Sequence, residues 1–138
     1  MTPSDFLAFL RQHRLAVVST VRDGAPQAAV VGIAVTDALE IVFDTVTTSR
    51  KYANLIADPR VALVAGWDYG QTVQVEGVAD VPSGHEVTAC KQVYFAVWPD
   101  GRERERWPDI AYIRVRPRWL RYSDYSAAPP QIEELTLT

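Results

Sequence analysis

The spacing of apolar residues changes along the chain, and each change marks an element. Phe6, Phe9 and Leu10 recur at helical spacing. Thr2 is placed to cap, Pro3 takes the first helical position and Asp5 sits in the first turn. Residues 3–12 are therefore expected to form a short amphipathic helix, with His13 a surface residue at its end. The period then shortens. Residues 15–21 (LAVVSTV) are apolar and β-branched, and Arg22-Asp23-Gly24 is a turn signal. Gln27 to Val35 reads as a second strand, with Pro26 tolerable at its start. Thr36-Asp37-Ala38 leads into a third strand at Glu40–Asp44. Three strands joined by tight turns predict an antiparallel meander.

A helical pattern led by Tyr52, Leu55 and Ile56 starts near Ser49 and stops before Asp58-Pro59, because a residue preceding proline is pushed out of the α region. Strands are expected at Arg60–Trp67 and Thr72–Val81, joined by Asp68-Tyr69-Gly70. Gly77 inside the second of these marks a bulge or a sharp bend. Ser83 and Glu86 have capping-box spacing, and Val87, Cys90, Val93, Tyr94 and Val97 then line one helical face up to Trp98-Pro99. Cys90 on that face is read as a core residue. Residues 99–108 (PDGRERERWP) alternate in charge and read as a solvated loop. Asp109–Arg116 and Trp119–Tyr125 are two further strands around Arg116-Pro117-Arg118. Tyr112, Arg114 and Arg116 share a face, and at least one of the two arginines is expected to pair with a carboxylate or a backbone carbonyl. The four tryptophans, Trp67, Trp98, Trp107 and Trp119, are expected in the core or at an interface.

No repeat or linker divides the chain, so residues 1–138 are expected to form a single domain, with 126–138 an extended C-terminal tail suited to lie on a partner. The strands alone fit a small antiparallel barrel or a sandwich.

Composition narrows the chemistry. The chain is 48% hydrophobic, enough for a real core, and its formal net charge of −3 opposes a broad electrostatic grip on nucleic acid. The single cysteine permits no internal disulfide, and His13 and His85 are too dispersed to build a structural zinc site with it. The N-terminal stretch lacks a basic leader and a small-residue cleavage site, and no apolar run reaches membrane-spanning length. The expectation is a soluble cytoplasmic protein that partners neither nucleic acid nor membrane.

The candidate chemistry lies at Ile41–Leu55. A strand there hands over to a helix across hydroxyl-rich residues, and Ser49, Arg50 and Lys51 stand at the junction. A helix start presents free N–H groups and the positive end of its dipole. An anion bound there gains both, plus a guanidinium fork and an ammonium charge. The residues alone leave two readings open, a phosphate site or a solvated helix start.

Several motifs in the same order resemble the FMN-binding split barrel of the pyridoxamine 5′-phosphate oxidase-like family. They are DGAP at 23–26, AAVVGIA at 28–34 and IVFDT at 41–45. SRKYANL and DPRVAL follow within 49–64, then TVQVEGVADV at 72–81 and IRVRPRWLRYSDY at 113–125. The resemblance implies a mainly β fold, an antiparallel split barrel of six to seven strands with a few short helices. It implies a homodimer with FMN in a groove between subunits. By the same resemblance the flavin phosphate meets Ser49, Arg50 and Lys51. The ring runs along Ala29, Val30, Val31 and Gly32, mostly through backbone groups, while Asp44 and Thr45 face it. Thr72 and Gln74 are candidates near the cofactor. No catalytic side chain is implied, since the flavin carries the hydride chemistry.

The oxidase itself has an arginine and a lysine where Ala29 and Ala34 stand. Thr72 replaces its glutamine and Ile110 its tryptophan, and SDYSAAPPQIEEL replaces its basic C-terminal substrate motif. The resemblance therefore implies a flavin-binding relative rather than the oxidase: an FMN-dependent oxidoreductase acting on a small molecule. A deazaflavin-dependent reductase would draw more cations from Arg102, Arg104 and Arg106. A non-enzymatic flavin-binding module is a third expectation.

Overall fold

The computed structural model describes residues 1–138. Helix α1 (Pro3–Gln12) opens the chain, capped as expected by Thr2, whose side chain and Asp5 form a reciprocal capping box. Strands β1 (Leu15–Arg22), β2 (Ala25–Gly32), β3 (Ala34–Val35) and β4 (Ile41–Val46) lead to α2 (Arg50–Ala57). Then come β5 (Arg60–Ala65), a 3₁₀ turn at Asp68–Gly70, β6 (Gln71–Asp80), α3 (Gly84–Val97) and α4 (Gly101–Arg104). Strands β7 (Ile110–Asp124) and β8 (Gln131–Thr136) close the chain. No helix is long and apolar enough to cross a membrane.

The strands form one antiparallel sheet in the order β2-β1-β5-β6-β7-β4-β3, with β8 added to β7. Strands β2 and β3 stand at opposite ends of that order, yet only Ile33 separates them in sequence. The sheet must therefore curl until its ends meet. This is the expected split barrel, with eight strands counting the two-residue β3. Its interior is filled by alternating residues such as Val18, Phe43, Leu63, Val73, Val75, Val115 and Leu120, and Phe6 and Leu10 of α1 join the same core.

Four local expectations are corrected. The stretch Gln27–Val35 is not one strand of a meander. It pairs with β1 up to Gly32, turns at Ile33, whose N–H donates to Arg14 O at 2.8 Å, and then pairs with β4. A continuous apolar run hides that change of partner. The strands expected on either side of Pro117 are one 15-residue strand, β7. Pairing shifts register at Glu76/Gly77, which leaves Arg118 as the extra residue and places proline where no ladder N–H is required. Gly77 is needed there, because a Cβ would lie 2.4 Å from Arg116 O. Ser83 does precede α3, but its side chain makes no capping bond. The tail is a strand of this chain's own sheet: Gln131 to Thr136 pair with Asp124 to Trp119.

Arg114 and Arg116 pair as expected. Arg114 is buried and forks onto Asp80 at 2.8 and 3.0 Å, and Arg116 reaches Glu40 and Asp80. Cys90 is a core residue, and burial raises its thiol pKa. His13 is not simply at the surface: it is half-buried, with its ring 4.3 Å from that of Phe9. Trp98 and Trp119 are partly buried, while Trp67 and Trp107 are half exposed and do not belong to the core.

Candidate functional site

Helix α2 is anchored from below. Asn54, buried beneath it, donates both amide hydrogens, to Thr20 Oγ1 of β1 at 2.9 Å and to Gln27 Oε1 of β2 at 2.8 Å. Above, Ser49 is the N-cap and accepts from Tyr52 N at 3.2 Å, while its hydroxyl also bonds to that of Thr45 at 2.9 Å. The first two helical N–H groups, of Arg50 and Lys51, have no intrahelical acceptor. Neither side chain forms an ion pair, and no acid lies in the first turn. Two cations and two free donors thus converge at one helix start.

Two grooves meet there. The first, of about 240 Å³, runs between β1, β2 and α2 and includes Thr20, Gln27, Ala29, Arg50 and Lys51. The second, of about 440 Å³, also has Lys51 in its wall and continues past Ser49, Thr45 and Asp44 and along Val30, Val31 and Gly32. Strand β2 pairs only with β1, so its main-chain groups on the other side have no strand partner. Gly32 permits close packing at this point: a Cβ there would come within 2.7 Å of the Trp98 ring, whose Nε1–H donates to Ile33 O at 2.9 Å.

Nine of the eleven expected residues are thereby brought together: Ala29, Val30, Val31, Gly32, Asp44, Thr45, Ser49, Arg50 and Lys51. Thr72 and Gln74 are not among them. They lie on β6, three strands from β2, which is about 14 Å across the sheet at ~4.8 Å per strand. The side chain of Gln74 is exposed on the outer face of the barrel.

The second groove also contains residues whose role was not legible. Arg104, expected in a solvated loop, turns inward from α4. Its Nε donates to Asp44 Oδ2 at 2.8 Å, Nη1 to Asp100 Oδ2 at 2.7 Å and Nη2 to the Tyr94 hydroxyl at 3.2 Å. Tyr94 in turn donates to Asp44 Oδ1 at 3.1 Å. Burial opposes the arginine's charge, but Asp44 and Asp100 outweigh that and raise its pKa. Burial, then the Asp44 charge, pushes the Tyr94 phenol pKa up, so it stays protonated. Both oxygens of Asp44 are engaged, so it is not a free base. Trp98, Trp107 and Ile110 complete the wall. An alternating Arg-Glu run gives no sign of which arginine faces inward; the tryptophans flanking that run were the available hint.

A family model for pyridoxamine 5′-phosphate oxidase matches residues 3–124. The pyridoxine/pyridoxamine 5′-phosphate oxidase of Bordetella avium is 38% identical over 117 residues. The match covers 78% of this chain and 54% of that one, so the chain spans about half the length of this relative. Among solved structures, the heme binding protein from Mycobacterium smegmatis superposes with a TM-score of 0.84 at 17% identity, covering 99% of this chain and 58% of that one. General Stress Protein 26 from Bacillus anthracis gives 0.74 at 20% identity, covering 96% and 98% of the two chains. A pyridoxamine 5′-phosphate oxidase-related, FMN binding protein from Nostoc punctiforme gives 0.72 at 12% identity, covering 100% and 98%. These structural likenesses speak to the fold. With the family match across nearly the whole barrel, the chain belongs to the pyridoxamine 5′-phosphate oxidase-like family of FMN-binding split barrels.

Proposed function

We propose that the paired grooves hold FMN and that the protein is an FMN-dependent oxidoreductase acting on a small molecule. The observation that carries this reading is the unpaired Arg50 and Lys51 at the start of α2, where both grooves meet. Arg50, Lys51 and their free N–H groups would hold the phosphate, with Ser49 and Thr45 beside it. The free main-chain side of β2 at Val30–Gly32 would match the polar rim of the ring. When bound, the flavin supplies hydride transfer. The chain's own part is to fix the cofactor and shape the substrate space, and no general acid or base is assigned.

Charge favours FMN over a deazaflavin with a longer acidic tail. Arg104 is already matched by two carboxylates, and Arg102 lies over the Phe95 ring, 5.6 Å from its centroid. Haem is the less suited ligand, because of the usual axial donors only Tyr94 lines either groove, and its hydroxyl is engaged.

The same reading makes the protein a homodimer. Val30, Val17, Val64 and Gln74 are successive cross-strand neighbours on the outer face of β2, β1, β5 and β6, and Val30 is 61% exposed. A second copy on this face would cover the valines and place Gln74, with Thr72 beside it, in the interface. Light scattering reporting a monomer at micromolar concentration would rule this out.

The test of the cofactor is a titration of FMN and riboflavin into wild type and Arg50→Ala, followed by flavin fluorescence. A charge-assisted hydrogen bond contributes about 1.5–3 kcal/mol, so Arg50→Ala should bind FMN roughly ten- to a hundredfold more weakly. Riboflavin should bind weakly to both proteins alike. Equal wild-type affinity for the two ligands would reduce Arg50 and Lys51 to a solvated helix start.

A further inference from the structure

Arg104 has more donors than its neighbours use. A guanidinium carries five N–H groups. Three are spent, one each on Asp44, Asp100 and Tyr94, and the other two have no protein acceptor. The side chain is 23% exposed and lines the second groove. It is also held in place. Asp44, itself 13% exposed, grips it from β4, and Gly101 at the start of α4 is buried against Tyr94 and Phe95. The groove's wall also carries the apolar side chains of Trp98, Trp107, Ile110, Leu15 and Val30.

We infer that Arg104 is the specificity-determining residue of this groove, offering its two free N–H groups to the carbonyl oxygen of a neutral, planar, conjugated substrate that lies against Trp98 and Trp107. The class follows from charge and shape. Asp44 and Asp100 against one Arg104 leave the cluster with a net charge of −1, and Lys51 is committed to the phosphate in the flavin reading on which this inference rests. A free carboxylate would meet that negative excess. A neutral carbonyl oxygen meets only the donors. The indole faces favour a flat partner over a branched one.

Coumarin is a neutral planar probe with one exocyclic carbonyl oxygen. Coumarin-3-carboxylate adds a negative charge, and naphthalene keeps the shape without the oxygen. Calorimetric titrations of all three, with and without saturating FMN, compare wild type with Arg104→Lys and Arg104→Gln. The lysine keeps a cation beside Asp44 but loses the fork. Coumarin should bind wild type and weaken at least tenfold in both variants. Naphthalene should bind more weakly and equally to all three proteins. Coumarin-3-carboxylate should bind wild type more weakly than coumarin does. Both variants should keep the wild-type far-UV circular dichroism spectrum, which separates a lost contact from a lost fold. Coumarin binding that ignores Arg104→Lys, no coumarin binding at all, or tighter binding of the carboxylate would overturn the inference. A wild type that does not bind FMN would overturn the flavin reading instead, while the Arg104 dependence would still be read in the titrations without it.

Discussion

Two pairs of cations in this barrel are treated in opposite ways. Arg114 and Arg116, on β7, are locked to Asp80 and Glu40, with Glu86 3.6 Å from Arg114. Arg50 and Lys51, at the start of α2, face no carboxylate and stand over free helix N–H groups. The first pair holds β6, β7 and the β3–β4 turn together. The second pair does nothing for the fold that two neutral residues could not do. Cations kept near one another without anions, on a helix fixed from below by a buried amide, are what the proposed phosphate site would require.

The largest expected effect tests the paired side. Arg114→Ala removes two charge-assisted hydrogen bonds to Asp80, each worth about 1.5–3 kcal/mol, while Asp80, 38% exposed, keeps its bond to Arg116. Urea denaturation should show that loss, whereas Arg50→Ala should unfold with wild type. If Arg50→Ala were equally destabilised, the division between the two pairs would collapse. Asn54→Ala sits between them. It strands Thr20 and Gln27 and should cost about 1–3 kcal/mol. Because it also loosens α2, it should weaken FMN while Arg50 and Lys51 are both still present. Unchanged FMN affinity in a destabilised Asn54→Ala would show that the helix start needs no anchoring.

The smallest effect concerns Asp58 at the other end of α2. Hydrogen bonds from the Arg60 guanidinium and backbone lower its pKa from 3.8 to about 2. A depressed carboxylate contributes stability that is fully present above 3.8 and is lost as pH falls toward 2. Asp58→Asn should therefore show a shallower loss of melting temperature across that window than wild type. The group is exposed, so the difference should be small, and identical acid limbs would remove Asp58 from the account of α2.

Much of this was legible because local pattern and tertiary demand agree. Thr2, Pro3 and Asp5 specify α1 by themselves, and Gly77 announces the β6 bulge. What was hidden depends on partners. Nothing in Gln27–Val35 tells that the strand leaves β1 for β4 at Ile33, since a residue buried against either neighbour has the same character. Asn54 belonged to a recognisable motif, but its work is done by residues 34 and 27 positions away. Arg104 is one of three arginines interleaved with glutamates, and only the position of Asp44 selects it. Thr72 and Gln74 were placed by resemblance, and the chain's own geometry puts them on the same outer face as Val30 but three strands away from it.

Strand β8 has a consequence for the protein's behaviour in a crowded solution. Without it, the second half of β7 would show an open edge of unpaired amides beside Leu120 and Tyr122, a template for another chain to pair with. With it, the edge presented outward is β8's own. Glu133 there is tied to the N-terminal ammonium, and Glu134 to Arg121. The strand is short and carries charged side chains, features that discourage a second chain from pairing there. Strand β8 thus shields the second half of β7 from pairing with another chain.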